Sequence, residues 1–266
     1  MYYEIHGRQE PNATTLVLSA GLGGSAHFWA PQLPALGERY RVLVYDHNGT
    51  GRSPARLPEG YAIDTMATEL LALLDTLGIQ RCHFIGHALG GLIGLQIALR
   101  RPAILASQTL INAWAGPNPH TARCFAVRRN LLVHCGVAAY LQAQPLFLYP
   151  PDWIAANSER LGSEEAHAQE AFPGVDNVLR RIEALLAFDV TALLERIETP
   201  TLLIANRDDM LVPWQQSQRL LEGLPNAQLA QLDYGGHASS VTDSVPFNRV
   251  LLTQLARLCE QATPTV

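Results

Sequence analysis

The feature that most constrains the fold is an alternation of short apolar runs with longer segments of helical periodicity. Strands are predicted at Thr14–Ser19, Arg41–Tyr45, Arg81–Ile85, Thr109–Asn112, Thr201–Ala205 and Ala227–Leu232, and helices at Thr65–Leu77, Leu92–Arg100 and roughly Phe247–Gln261. Such alternation is typical of α/β proteins, in which helices cover both faces of a mostly parallel sheet. A chain of 266 residues suits one large α/β domain.

The alternation stops between Ala113 and about Glu195, where prolines interrupt several helical segments. About eighty residues are too many for a loop, so we predict a helical insertion. Open α/β sheets bind ligands at the carboxyl ends of their strands, and we expect the insertion to cover those ends as a lid. The predicted division is a core of residues 1–112 and 196–266 with a lid of residues 113–195.

Composition restricts the chemistry more than the fold. The net charge of −5 is mild and indicates no partnership with nucleic acid or an anionic membrane. All 19 basic residues are arginine, which excludes Schiff-base chemistry and a lysine general base. Four cysteines lack paired or metal-type spacing, and each is expected to be a free thiol: Cys82, Cys124, Cys135 and Cys259.

The remaining expectations concern location and partners. The stretch Met1–His6 lacks the basic and apolar regions of a signal peptide, and no apolar run approaches the ~20 residues of a membrane span. We therefore expect a cytoplasmic protein with no membrane partner. No histidines and carboxylates share metal-like spacing, so no metal and no cofactor are predicted. A homodimer through a strand edge or a lid face is left open.

The segment Gly86-His87-Ala88-Leu89-Gly90-Gly91 follows a predicted strand and opens a helix. This is the context of the G-x-S-x-G nucleophile turn, with alanine at its centre. The glycines are needed because the central residue sits on a strained turn with little space around it. Since Ala88 has no hydroxyl, ordinary acyl-enzyme chemistry through a serine is excluded.

Further segments accompany this turn in a fixed order. They are Ser19–Gly24, Asp46–Ser53, Leu203–Pro213 and Tyr234–His237. Together they resemble the α/β-hydrolase family, over a stretch from about Thr14 to Ser240. The resemblance implies Asp209 as the catalytic acid rather than Asp208, because in that family the acid precedes the proline by four positions. It implies His237 as the base, since the order turn, acid, histidine matches.

The backbone amides of Leu22 and Leu89 are expected to form an oxyanion hole, because backbone N–H groups do not depend on side-chain identity. Each such donor is typically worth ~3 kcal/mol at the transition state. His237, oriented by Asp209, can deprotonate a water molecule or give a proton to a leaving group. Ala88 marks the turn itself and supplies no nucleophile.

Several strings resemble one group within that family, the RutD group of the Rut pyrimidine-degradation pathway. They include GLGGS at Gly21–Ser25, WAPQL at Trp29–Leu33, AQPLFLYPPDW at Ala143–Trp153 and YGGHA at Tyr234–Ala238. The resemblance implies a role in uracil nitrogen catabolism on a small labile anion, either carbamate or 3-aminoacrylate. Members of this group can carry alanine at the turn, which favours a natural Ala88.

A small anionic substrate needs a cationic partner, and arginine suits a carboxylate because it can donate two parallel hydrogen bonds. The predicted lid contains Arg129 and Arg181 and three residues that we take as candidate substrate ligands, Arg123, Arg128 and Arg180. We expect at least one lid arginine to enter the pocket.

Three functions remain open from the sequence. The first is a hydrolase that acts on C–N bonds through His237 and Asp209 without a covalent intermediate. The second is a serine esterase or amidase whose serine has been replaced by engineering. The third is a non-catalytic, ligand-binding α/β-hydrolase homologue.

Overall fold

A computed structural model describes residues 1–116 and 118–262 of the chain. Its strands are β1 (Tyr3–Gly7), β2 (Thr15–Ser19), β3 (Arg41–Tyr45), β4 (Cys82–His87), β5 (Leu105–Ile111), β6 (Thr201–Asn206) and β7 (Ala227–Leu232). They form one seven-stranded sheet in the order β1-β3-β2-β4-β5-β6-β7. Only the β1–β3 pairing is antiparallel, so the predicted mostly parallel sheet is confirmed.

Helices in the described residues cover the sheet. They are α1 (Leu33–Gly37), α2 (Ile63–Thr76), α3 (Leu89–Arg100), α4 (Pro119–Asn130), α5 (Val137–Leu148), α6 (Pro151–Ala156), α7 (Ser158–Glu170), α8 (Val175–Ala187), α9 (Gln215–Gly223), α10 (Ser239–Thr242) and α11 (Ser244–Ala262). None of the described helices has the length and apolarity that crossing a bilayer requires.

The hydrophobic core lies on both faces of the sheet. In β2, Leu16 and Leu18 belong to one buried cluster, which also contains Leu251 of α11, whereas Val17 belongs to the cluster that contains Leu92 of α3. Successive strand residues point to opposite faces, so a strand covered on both sides must be apolar throughout. This is why the central strands are continuous apolar runs in the sequence.

The structure differs from the sequence predictions at a few boundaries. Strand β1 was not predicted, because as an edge strand it is only half-buried and carries no apolar run. Strand β5 begins at Leu105, whereas the predicted strand begins at Thr109. The prediction missed the first residues because Ser107 and Gln108, although buried, are polar and interrupt the apolar run. Helix α3 begins at Leu89, three residues before the predicted start at Leu92. The prediction missed the first turn because it contains two glycines, which have low helical propensity.

The described residues between β5 and β6 include the five helices α4 to α8. Helix α4 begins after Asn118, whose side chain accepts hydrogen bonds from the backbone amides of His120 and Thr121 and so caps the helix. Helix α8 buries Val178, Ile182 and Leu185 along one face. A separate lid with the boundaries 113–195 stays a prediction.

Candidate active site

The turn between β4 and α3 places Ala88 at the carboxyl end of the sheet. Ala88 has φ 48° and ψ −114°, a conformation that non-glycine residues rarely adopt. Its amide donates to the carbonyl of Ile111 at 2.8 Å, which ties the turn to the end of β5. Strain of this kind typically costs on the order of 1–3 kcal/mol and persists where the surroundings impose it, most often at functional sites.

Two glycines allow this turn to form. A Cβ on Gly86 would lie 2.4 Å from the carbonyl oxygen of Gly90, and a Cβ on Gly90 would lie 2.2 Å from the carbonyl oxygen of Ser19. Both contacts are with backbone atoms, which cannot move aside as a side chain would. Helix α3 therefore approaches β2 and β4 as closely as it does only with glycine at these positions.

We predict that Gly90→Ala lowers the free energy of unfolding by about 1–3 kcal/mol, the usual cost of overpacking a core. Gly162→Ala is the matched control, because an added Cβ at Gly162 in α7 has no atom within 4 Å apart from the neighbouring backbone of its own helix. Alanine there should be neutral or stabilising by about 0.5–1 kcal/mol. Chemical denaturation measures both, and equal stability of Gly90→Ala and the unsubstituted protein would contradict the close approach.

His237 and Asp209 form a buried pair beside this turn. His237 lies in a short turn, Gly236–Ala238, after β7, and its Nδ1 is 2.7 Å from Oδ2 of Asp209. The other carboxylate oxygen of Asp209 accepts from the amides of Leu211 and Val212, both at 2.8 Å. The pair thus holds the proton on Nδ1 of His237 and leaves Nε2 for proton transfer.

The neighbouring Asp208 binds the backbone before His237 and does not contact the His237 ring. Its carboxylate accepts from the amide of Gly235 at 3.0 Å and from that of Gly236 at 2.9 Å. It therefore shapes the turn that precedes His237. The structure pairs His237 with Asp209 and not with Asp208, as the resemblance to α/β hydrolases implies, while the catalytic roles of His237 and Asp209 stay a prediction.

A second histidine supports the site without titrating near neutral pH. Nε2 of His87 lies 2.7 Å from the backbone carbonyl of His237, so this nitrogen must donate. Burial, with a further contribution from His237, lowers the pKa of His87 to about 3 and keeps the ring neutral. The ring stacks on Phe28, which is consistent with the packing role that its place beside the turn indicates. Asn112 also donates to the carbonyl of His237, at 2.8 Å.

The amides of Leu22 and Leu89 are available as donors. Both residues line the same cavity as Ala88 and His237. Among the hydrogen bonds of the described residues, neither amide has an acceptor. We call the segment Ala20–Ser25, which contains Leu22, the oxyanion loop. The role of the Leu22 and Leu89 amides as an oxyanion hole stays a prediction.

The cavity has a volume of about 190 Å³. Aromatic and aliphatic side chains form much of its wall, including Phe28, Trp114, Phe125, Leu148, Tyr149, Leu185 and Leu211. Of the described residues that line it, Arg128 alone carries a full positive charge, and none is acidic. The charge of the wall therefore favours an anionic ligand.

Arg128 is the candidate ligand that the structure brings to the cavity. Its side chain is buried, and Nη2 donates to the hydroxyl of Tyr140 at 2.9 Å and to Oε1 of Gln144 at 3.2 Å. Both acceptors are neutral, and no carboxylate of the described residues lies within ion-pair distance of the guanidinium. Its positive charge is therefore left without a protein counter-ion.

The other arginines between β5 and β6 do not line the cavity. Arg123 and Arg129 are exposed, and Arg180 pairs with Glu59 at 3.3 Å and with Glu183 at 3.8 Å. The helical period explains why Arg128 lines the cavity and Arg123 on the same helix does not, because residues five apart lie on different sides of a helix. The interpretation of Arg123 and Arg180 as substrate ligands therefore gains no support from their positions.

From the sequence, Arg181 is named only as one of the arginines of the predicted lid, and Gln144 is not named. Arg181 is buried behind the oxyanion loop, and Gln144 lines the cavity beside Arg128. A signal for Arg181 was present, because it lies three residues after Val178 and directly before Ile182 on the apolar face of α8. Within residues 1–116 and 118–262, no group of three histidine, cysteine, aspartate or glutamate side chains is placed to hold a metal ion.

Comparison with known proteins adds independent observations. Residues 14–134 match a family model described as the alpha/beta hydrolase fold. A relative from Stutzerimonas stutzeri is 70% identical, with 98% of each chain covered. One from Pseudomonas savastanoi pv. phaseolicola is 67% identical, with 95% of this chain and 97% of the relative covered. Both relatives carry the name "Putative carbamate hydrolase RutD".

A solved structure of similar fold is the alpha/beta hydrolase enzyme MGS-M2 from a Medee basin deep-sea metagenome library. The TM-score is 0.89 at 24% identity, over 100% of this chain and 95% of that one. At this level of identity the likeness concerns the fold alone.

Proposed function

This chain belongs to the RutD group of α/β hydrolases, and from that premise we propose that it cleaves a small, labile anion without a covalent intermediate. The names of its relatives favour carbamate as the substrate, with 3-aminoacrylate as the second candidate. The observation that carries the proposal is a complete His237–Asp209 pair, 2.7 Å apart, beside a turn whose central residue is alanine.

Carbamate needs no nucleophile to fall apart. Its C–N bond breaks when the nitrogen takes up a proton, and carbamate plus one proton gives ammonia plus carbon dioxide. His237 carrying a second proton, on Nε2, supplies that proton and takes up another from water after the products leave, while Asp209 accepts the Nδ1 hydrogen bond and keeps the ring oriented. Because the negative charge disappears as carbon dioxide forms, the anion-binding groups serve binding and orientation, and the gain in rate comes from the delivered proton.

For 3-aminoacrylate, water must add to the carbon that bears the nitrogen. The oxygen of water stays on that carbon, one proton goes to the neighbouring carbon and one goes to the nitrogen, which leaves as ammonia. The second product is the corresponding aldehyde acid. His237 takes the proton from the attacking water and returns it to the nitrogen, so here too no covalent enzyme intermediate is required.

The anion would be held by Arg128 on one side and by the amides of Leu22 and Leu89 on the other. A buried guanidinium with neutral acceptors alone is costly, and a substrate carboxylate would compensate its charge. The two amides would orient the carboxylate so that the nitrogen faces His237. Holding reacting groups in the productive geometry can itself lower a barrier by several kcal/mol.

The direct test is ammonia release above the spontaneous rate, from freshly prepared carbamate and, separately, from freshly generated 3-aminoacrylate. We expect acceleration of carbamate cleavage that is proportional to enzyme concentration. Acceleration of 3-aminoacrylate alone would reassign the substrate. Spontaneous rates with both compounds would overturn the proposal.

We predict that Arg128→Met raises the KM for the anion by about 10- to 100-fold with a smaller effect on kcat, since hydrogen bonds to charged groups are worth about 1.5–3 kcal/mol. Methionine keeps the bulk of the side chain and removes its charge. Arg160→Met is the control, because Arg160 lies exposed on α7 and pairs with Glu164 at 2.7 Å. An unchanged KM in Arg128→Met would exclude this residue as the anion ligand.

A further inference from the structure

Arg181 is a buried cation outside the cavity. Its side chain on α8 is 2% exposed, and no carboxylate oxygen of the described residues lies within ion-pair distance of it. Burial lowers the pKa of Arg181 to about 10, so the group remains charged at neutral pH. A buried charge without a counter-ion is costly unless hydrogen bonds compensate it. The hydrogen-bond acceptors of this guanidinium therefore account for its burial.

The guanidinium joins two loops of the α/β core. Nη1 donates to the backbone carbonyl of Leu22 at 3.3 Å, and Nη2 donates to the backbone carbonyl of Asn48 at 2.6 Å. Leu22 is the residue of the oxyanion loop whose amide we expect to bind the substrate, and it lines the cavity, whereas Asn48 follows β3. One planar group on a helix between β5 and β6 therefore links the oxyanion loop to its neighbour.

The oxyanion loop is folded closely around this group. Gly24 has φ +69°, and a Cβ at that position would lie 2.9 Å from Nη1 of Arg181. The amide of His47 donates to the carbonyl of Gly24 at 2.9 Å, so the loop is closed from the other side as well. The guanidinium thus lies against the loop at both Leu22 and Gly24.

We propose that Arg181 is a positioning residue that orients the Leu22 amide from outside the cavity. Arg181 binds the Leu22 carbonyl, which lies in the peptide plane that follows the Leu22 amide, while the Gly24 amide donates to the Gly21 carbonyl at 3.0 Å and holds the plane that contains that amide. The two contacts together restrain the backbone rotation at Leu22 that would turn its amide away from the substrate. A preorganised donor of this kind needs no rearrangement during the reaction. The inference rests on the proposed function, because it assigns Leu22 to substrate orientation. It adds a residue that touches neither substrate nor the His237–Asp209 pair.

Helix α8 has a second attachment, so substitution of Arg181 need not release it. The side chain of Asn177 accepts from the amide of Leu57 at 3.0 Å and donates to the carbonyl of Ala55 at 2.8 Å. Asn177 and Arg181 lie four residues apart on the same face of the helix. This second contact makes the role of Arg181 in positioning separable from a role in folding.

The test compares Arg181→Met, Arg181→Ala and the control Arg160→Met in the full chain. We expect kcat of Arg181→Met to fall about tenfold with KM changed less than about threefold, because a displaced Leu22 amide no longer holds the substrate nitrogen in line with His237, and a misplacement of about 1 Å can cost up to about 10²-fold in rate. Guanidinium ion at millimolar concentration should restore part of kcat in Arg181→Ala but not in Arg181→Met, whose side chain fills the space. Arg160→Met should match the unsubstituted protein.

Amide hydrogen exchange gives a readout that does not require turnover. Peptides covering the oxyanion loop should exchange at least tenfold faster in Arg181→Met, while those covering α8 should exchange at an unchanged rate. If the unsubstituted protein cleaves neither anion, the proposed function fails, and the exchange result alone decides about Arg181. Unchanged exchange in the loop, or a loss of kcat that tracks a lower melting temperature without rescue by guanidinium, would overturn the inference.

Discussion

Replacing His237 with alanine is expected to lower kcat/KM for the anion by about 10²–10⁴-fold, the usual contribution of a general acid or base. The nitrogen that carries the transferable proton is lost, and no neighbouring group can take its place. His87 is nearby, but burial holds its pKa at about 3 and its Nε2 is engaged by the carbonyl of His237. The measurement is the rate of ammonia release after subtraction of the spontaneous rate.

The control for this substitution is His167→Ala. His167 lies exposed on α7, and its Nδ1 contacts the carbonyl of Ser163 at 2.7 Å, so its loss should leave the rate unchanged. We expect the rate of Asp209→Asn to lie between those of the unsubstituted protein and His237→Ala. The ring of His237 keeps a hydrogen-bond partner in this variant, but it loses the carboxylate that imposes its tautomer. Equal rates for the unsubstituted protein and His237→Ala would refute general acid–base catalysis and favour a ligand-binding role.

The second large effect concerns Ala88. Ala88→Ser is expected to lower the turnover of carbamate by about 10²-fold, the lower limit of what a general acid contributes. A hydroxyl at this position would accept or donate a hydrogen bond at Nε2 of His237, as the serine of a catalytic triad does. It would thereby occupy the nitrogen that must face the substrate. Circular dichroism and the melting temperature would establish that the variant is folded.

The same variant separates two of the functions that the sequence leaves open. If Ala88 replaced a serine by engineering, Ala88→Ser would restore a serine hydrolase and produce a burst of p-nitrophenol from a p-nitrophenyl ester. A burst, or faster cleavage of the physiological anion, would contradict catalysis without a nucleophile. A loss of carbamate turnover with no burst agrees with alanine as the residue that the mechanism requires.

The fold was accessible from the sequence because its central strands are buried on both faces. A run such as that of β3, at Arg41–Tyr45, is almost entirely apolar and was predicted at its observed bounds. Strand β1 was not predicted because it lies at the sheet edge, where half-exposed residues such as Glu4 and His6 give no apolar signal. The predicted start of helix α3 lies three residues too late, because glycines such as Gly90 and Gly91 are poor helix formers. The close packing at these two positions nevertheless requires glycine.

The site was predictable where its residues follow strand ends in a fixed order. Asp209 and His237 lie in loops at the carboxyl ends of β6 and β7, and those ends meet at one edge of the sheet. The lid arginines were not predictable in the same way. Which of them faces the cavity depends on how α4 and α8 pack against other elements, as in the contacts of Arg128 with Tyr140 of α5 and of Arg181 with Leu22.

The central claim is that catalysis runs through His237 without a covalent intermediate. Rapid mixing of enzyme with excess carbamate, followed by acid quench, measures ammonia release and the intact protein mass over the first turnovers. The account predicts ammonia release that is linear from the start, lost in His237→Ala, with an unchanged protein mass throughout. An initial burst of ammonia, or an enzyme mass increased by a carbamoyl or acyl group during turnover, would contradict it.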